Sequence, residues 1–208
     1  MSITIKIKKD YRGLKENEEF VFDKDITIIV GSNGSGKSSL INLLRSQWKG
    51  HYMGRIDRKS DLDELCSVEG LDEFVHKYDY ATDTDSLAGK SFVDMSYLTK
   101  DKGLGITVMR FSAGQTQLAQ LNNIISKIAT TYKEGEKQLV IFDEPEKGLD
   151  LKTQYKFASA IRNFKPKLNT TCIVITHSLP FLDSFGSVYD MDTRSIMSTD
   201  ELITTFLK

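Results

Sequence analysis

The apolar run Ile26-Thr27-Ile28-Ile29-Val30 leads directly into Gly31-Ser32-Asn33-Gly34-Ser35-Gly36-Lys37-Ser38, and that segment leads into the helical pattern Leu40, Ile41, Leu43, Leu44. A strand, a G-x-x-x-x-G-K-[ST] loop and a helix in that order confine the chain to α/β architecture with a phosphate-binding loop at a strand end. Three glycines let the backbone turn its N–H groups inward around an anion, because no Cβ blocks the approach. The helix beginning near Lys37 adds its free amides and the positive end of its dipole. Lys37 is expected to reach the outer phosphates. Ser38 is expected to hold Mg²⁺ through its hydroxyl, and Ser39 joins the loop as a further phosphate-side residue.

At 208 residues, with 39% hydrophobic and 27% charged residues, the composition is that of one ordinary globular domain rather than a disordered chain. The net charge of −1 gives no whole-chain attraction to nucleic acid or anionic membrane. The longest apolar runs, Ile26 to Val30, Leu139 to Phe142 and Cys172 to Ile175, have the length of strands and cannot span a bilayer. Met1-Ser2-Ile3-Thr4-Ile5-Lys6 alternates like a strand and lacks the apolar centre of a signal peptide. Cys66 and Cys172 are too few for a disulfide framework, so a cytoplasmic location is expected.

Ile3, Ile5 and Ile7, then Phe20 and Phe22, predict an antiparallel pair before the loop strand. Residues 57 to 85 carry ten acids (Asp57, Asp61, Asp63, Glu64, Glu69, Asp72, Glu73, Asp79, Asp83, Asp85) against Arg58, Lys59 and Lys77. With Leu71, Phe74, Val75 and Tyr78 at helical spacing, the stretch predicts a small helical insertion with a solvated acidic face, within about 55 to 110. Ser91 to Leu98 reads as a strand, and 101 to 105 as a loop. Leu118, Leu121, Ile124, Ile125 and Ile128 mark an amphipathic helix over Gln115 to Thr131. Leu139-Val140-Ile141-Phe142 and Cys172-Ile173-Val174-Ile175 have the unbroken apolarity of parallel strands covered on both faces, with a crossover helix over Leu151 to Phe164. Ser198 and Glu201 form a capping box for a last helix. The predicted fold is α/β: a mainly parallel central sheet, an antiparallel N-terminal β portion and a small helical insertion, in one domain over 1 to 208.

Three further clusters carry chemistry. Leu139-Val140-Ile141-Phe142-Asp143-Glu144-Pro145 delivers two carboxylates to a strand end: Asp143 suits Mg²⁺, and Glu144, on the alternate face, suits a water-activating base. Phe111-Ser112-Ala113-Gly114-Gln115 opens a helix whose cap and small residues leave amides free for a second anion. Thr176-His177-Ser178 follows a buried strand, where an imidazole can reach a γ-phosphate oxygen or the attacking water.

In this order the elements resemble the ABC-type ATPase superfamily, over most of the chain. Residues 31 to 38 match Walker A and Ser112-Ala113-Gly114-Gln115 the signature motif. Asp143-Glu144-Pro145 matches Walker B with its catalytic glutamate, Gly148-Leu149-Asp150 the D-loop, and His177 the switch histidine. The resemblance implies a P-loop NTPase fold, with ATP and Mg²⁺ as ligands. It further implies an ATP-dependent homodimer in which Ser112 to Gln115 of one copy close over ATP held by the other, with Asp150 at the interface. Tyr11-Arg12-Gly13 resembles the N-terminal loop of SMC-type and DNA-repair ATPase heads, where a basic side chain, here Arg12, approaches the nucleotide. Thr176-His177-Ser178-Leu179-Pro180-Phe181-Leu182 is similar to a segment of stand-alone bacterial and phage ATPases. Transporter ATPases show an adenine-stacking aromatic, a role open to Tyr11, and a glutamine loop. No glutamine lies between Gln47 and Gln115, and Asp94 is a substitute by position alone.

The leading expectation is a soluble ATPase that dimerises on ATP and drives a protein partner in DNA repair, recombination or defence. DNA contact is left to Lys6, Lys8, Lys9, Lys165 and Lys167, which also suit a solubilising surface. The alternatives are the cytosolic ATPase subunit of a membrane transporter and a non-catalytic nucleotide switch.

Overall fold

A computed structural model describes residues 2–49, 59–81, 124–164 and 168–206. Strand β1 (Ile3–Ile7) alternates buried and open positions, and pairs antiparallel with β2 (Glu19–Phe22) and with β4 (Cys66–Glu69). The large sheet runs β5-β6-β7-β3-β8-β9. Its members are β3 (Ile26–Val30), β5 (His76–Ala81), β6 (Gln138–Asp143), β7 (Thr170–Ile175), β8 (Ser187–Asp190) and β9 (Ser195–Ser198). The first five strands in that order are mutually parallel, and β9 closes the edge antiparallel to β8. The mainly parallel α/β sandwich with an antiparallel N-terminal portion is therefore present.

The apolar runs sort onto the two faces as a period of two requires. Ile29, Leu139, Ile141, Ile173 and Ile175 join one core with helix α1 (Lys37–Lys49), through Leu40, Ile41, Leu43 and Leu44, and with the small sheet. Ile28, Val140, Phe142, Cys172 and Val174 enter the other. That second core is closed by α3 (124–131), α4 (Leu151–Arg162), α5 (Leu179–Phe185) and α6 (Thr199–Phe206). Phe157 stands edge-on to both Phe142 and Phe181, at 5.1 and 5.6 Å between centroids. The capping box forms: Ser198 N–H donates to Glu201 Oε2 at 2.9 Å, and Glu201 N–H donates back to Ser198 Oγ at 3.2 Å.

One expectation is corrected. Leu71, Phe74, Val75 and Tyr78 do not share a helix. Helix α2 (Lys59–Leu65) precedes β4, Leu71–Glu73 is a single 3₁₀ turn, and Tyr78 lies in β5 against β6. The helical spacing arises because a 3₁₀ turn buries Leu71 and Phe74 while Val75 points outward, 58% exposed. The helix expected over Gln115 to Thr131 is observed over 124–131. Its start, the Ser91 to Leu98 strand, the 101 to 105 loop, Asp94, Lys165 and Lys167 lie outside the described residues.

Strand β5 also brings Asp79 to Arg45 on α1. Arg45 Nε and Nη2 both lie 2.8 Å from Asp79 Oδ1, and Nη1 lies 3.1 Å from Asp143 Oδ2 and 3.2 Å from Asn42 Oδ1. The side chains of Arg45 and Asp79 are 8% and 4% exposed, so this buried pair ties α1 to β5, and the bond to Asp143 extends the tie to β6. Arg45→Ala would remove the guanidinium from a buried carboxylate and is expected to cost about 3–5 kcal/mol. Urea unfolding measures it, and a loss below about 1 kcal/mol, the scale of an exposed pair, would contradict this assignment.

Candidate functional site

Parallel register decides what meets at the carboxyl edge of the sheet. Asp143 lies opposite Ile175, and Ile175 opposite Ile29, so β6, β7 and β3 end side by side. Beyond them the chain turns into Glu144, Thr176-His177 and Gly31. An open cleft of about 210 Å³ forms there, lined by Arg12, Asn33, Gly34, Gly36, Lys37, Ser38, Ser39, Glu144 and His177. Every one of these residues was a candidate from sequence.

The phosphate loop runs from Gly31 to the first turn of α1, where Leu40 N–H donates to Gly36 O at 2.8 Å. Lys37 is buried, and its Nζ donates to the carbonyls of Gly31 (2.7 Å) and Ser32 (2.8 Å). Burial pulls the ammonium below its ordinary pKa, while the charges of Asp192, Glu144, Asp143 and Asp190 oppose that shift. The Tyr11-Arg12-Gly13 turn lies against the loop. A Cβ on Gly13 would sit 2.4 Å from Gly34 O, so only glycine permits this approach. Arg12 faces the cleft, and its carbonyl accepts from Ser39 Oγ at 2.8 Å.

Tyr11 does not fit the adenine-stacking role considered for it. It is 7% exposed, bridged to Leu14 through paired backbone hydrogen bonds of 2.9 Å, and packed in the first core.

The acidic pair divides as its positions suggest. Burial raises the Asp143 carboxyl above the ordinary range, and Arg45 opposes the shift. Glu144 follows the strand in a left-handed conformation (φ 48°), a strained choice for a side chain of this size. Its N–H donates to Ile175 O at 2.9 Å, while its carboxylate contacts Lys147 and lies 3.5 Å from His177 Nε2. The base candidate and the histidine candidate are thus in direct contact.

Sequence reasoning passed over Glu146. Its Oε1 accepts the His177 N–H at 2.8 Å, and burial raises its carboxyl pKa. Gln154 on α4 completes the joint, accepting from Ser178 Oγ at 2.6 Å and donating to Leu149 O at 2.8 Å. Asp150 caps α4, accepting from Thr153 Oγ1 at 2.7 Å and N–H at 3.0 Å; these bonds hold its carboxyl below the ordinary range. The signature candidates Ser112, Ala113, Gly114 and Gln115 lie outside the described residues.

The donor set suits a magnesium ion only with a phosphate ligand present. Among the described residues no group of three or more His, Cys, Asp or Glu is arranged to hold a metal. Ser38 and Asp143 supply hard oxygens, and Mg²⁺ binds through one or two carboxylates plus substrate phosphates.

The family profile described as an AAA domain matches residues 4–170. The zinc import ATP-binding protein ZnuC of Rickettsia prowazekii is 28% identical over 178 residues, covering 77% of this chain and 68% of that protein. Human ATP-binding cassette sub-family A member 6 is 26% identical over 172 residues, 69% of this chain; the match covers only 10% of that protein's length. The ADP conformation of an ATP-binding cassette of an ABC transporter superposes with a TM-score of 0.54 at 16% identity, over 98% of this chain and 95% of that one. With the profile covering most of its length and relatives of this kind, the chain belongs to the AAA domain family and to the ABC ATPase superfamily.

Proposed function

We propose that this chain binds and hydrolyses ATP as the cassette subunit of a membrane transporter. The observation that carries the ATPase part is the single cleft that gathers the phosphate loop, Arg12, Glu144 and His177. The transporter part rests on the relatives, whose names are those of import and transporter cassettes. They favour the motor-subunit alternative over the DNA-repair, recombination or defence role that the sequence suggested first. The lysines proposed for DNA are also partly engaged elsewhere: Lys8 donates to Asp63 O at 2.8 Å, and Lys6 lies 4.0 Å from Glu69. Among the described residues no helix is long and apolar enough to cross a membrane.

In this mechanism the amides of residues 33 to 38 and the Lys37 ammonium bind the β- and γ-phosphates, with Ser39 and Arg12 flanking them. Ser38 and Asp143 would hold Mg²⁺, which supplies charge neutralisation on the phosphates when bound. Glu144 takes the proton of the attacking water, and His177, beside it, orients that water or the γ-phosphate oxygen. Ser112, Ala113, Gly114 and Gln115 of a second copy would complete the site. This makes ATP the adhesive of the dimer and places Asp150 at its seam.

Glu144→Gln removes the base and retains the cleft, so phosphate release should fall by about 10²–10⁴-fold while ATP still binds. It should also trap a dimer with ATP and Mg²⁺, visible by light scattering; a protein that stays monomeric there rules out the composite site. Lys37→Ala should abolish both nucleotide binding and the trapped dimer. Purification of the Glu144→Gln protein from membranes is expected to bring a permease with it. Recovery of DNA in place of a permease would return the repair reading.

A further inference from the structure

The turn between β8 and β9, Met191-Asp192-Thr193-Arg194, belongs to no motif of the sequence, yet it grips the phosphate loop on the side away from Gly13. Met191 N–H donates to Val30 O at 2.9 Å, which places the turn beside the end of β3. A Cβ added to Gly31 would lie 2.9 Å from Met191 Cβ, so the two backbones are packed with no room between them. Asp192 takes both donors of Ser32: the backbone N–H donates to Oδ2 at 2.6 Å and the hydroxyl to Oδ1 at 2.6 Å.

Arg194 spans three segments. Its Nη1 donates to Ser35 O at 3.0 Å and to Met191 O, and its Nη2 donates to Gly13 O at 2.7 Å. Its Nε donates to Glu18 Oε1 at 2.8 Å, and the guanidinium lies 5.5 Å from the Phe20 ring centroid. One planar fork therefore joins the phosphate loop, the Arg12-Gly13 turn and the small sheet. The turn is itself internally fixed, since Asp190, 5% exposed, accepts from the N–H of Asp192 and Thr193 and from Thr193 Oγ1.

We infer that Asp192 and Arg194 are positioning residues for the nucleotide: they hold the phosphate loop and the Arg12-Gly13 turn in one arrangement, so that binding spends less on ordering them. The inference rests on the proposed nucleotide site. Neither side chain lines the cleft: Arg194 acts through the backbone it holds, and Asp192 through Ser32 and through its charge near Lys37. A fork of fixed donors suits this task and a lysine does not, because an ammonium cannot reach carbonyls on separate segments in fixed directions.

The test compares Arg194→Lys with Arg194→Ala in the full chain, with ADP and Mg²⁺ as the probe in calorimetry. Both variants are expected to weaken ADP binding by about tenfold or more, since charge alone does not restore the fork. Amide hydrogen exchange over residues 31 to 36 should quicken in both. As a control for general destabilisation, Leu182→Ala loosens the opposite core without touching the turn and should leave ADP affinity unchanged. Should Arg194→Ala not fold, Asp192→Asn serves, with faster exchange at the Ser32 amide expected. Wild-type affinity and exchange in Arg194→Lys would overturn the inference. A wild-type protein that ignores ADP would overturn the nucleotide reading instead, and the exchange measurement would still decide whether the turn holds the loop.

Discussion

Everything at the site depends on three parallel strands ending at the same level. Neighbouring strands lie about 4.8 Å apart, so β6, β7 and β3 place Asp143, Ile175 and Ile29 within a span of about 10 Å. The register is secured by burial on both faces. A slip by one residue in β6 would exchange Leu139 and Ile141 with Val140 and Phe142, and Phe142 would lose the edge-on contact with Phe157. The candidate site residues stand at the last strand position, Asp143, or just past the strand ends, because the strand interiors have no free face on which to carry them.

How much of this the sequence revealed follows from the range of each interaction. The strands β3, β6 and β7 were legible because double-sided burial leaves unbroken apolar runs. The phosphate loop was legible because its glycines and lysine sit at fixed spacing, and the Ser198–Glu201 box because its partners are three residues apart. Two local signals misled. Leu71, Phe74 and Tyr78 mimic a helical stripe across a 3₁₀ turn and a strand, a known ambiguity of short apolar patterns. Tyr11 looked available for a base because it neighbours Arg12 and Gly13, but a tight backbone bridge to Leu14 folds it inward. Partners far along the chain left no pattern at all. Arg45 meets Asp143 across 98 positions and Ser32 meets Asp192 across 160, and nothing near either residue records the other.

The electrostatics bear on how the proposed site would hold a polyanion in a chain with a net charge of −1. Lys37 is surrounded by the charges of Asp192, Glu144, Asp143 and Asp190, so its single ammonium does not make the cleft strongly cationic. All four acids are already engaged by cations or donors: Asp143 by Arg45, Glu144 by Lys147, Asp192 by the Ser32 groups, and Asp190 by the Asp192 and Thr193 amides. Attraction for phosphate must therefore come mainly from the loop amides and the α1 terminus, whose dipoles act at contact range. That dependence on backbone geometry raises the value of whatever keeps the backbone in place.

The loop is held from two sides by unlike means. On one side Gly13 packs against Gly34 and Gly36 at distances no other residue tolerates. On the other, the β8–β9 turn ties Ser32 and Ser35 through charged side chains, and Arg194 links the two sides by its bond to Gly13. The segments after β6 and β7 form a separate joint, in which Glu146 holds the His177 amide and Gln154 couples Ser178 to Leu149. Glu144 and His177 are fastened to that second joint, not to the phosphate loop. Helices α4 and α5 pack on each other and carry Gln154 and the chain beyond Ser178, so a displacement of that helix pair would move base and histidine together. The residues that would bind phosphate and those that would cleave it are thus mounted on different supports, joined through the sheet between them.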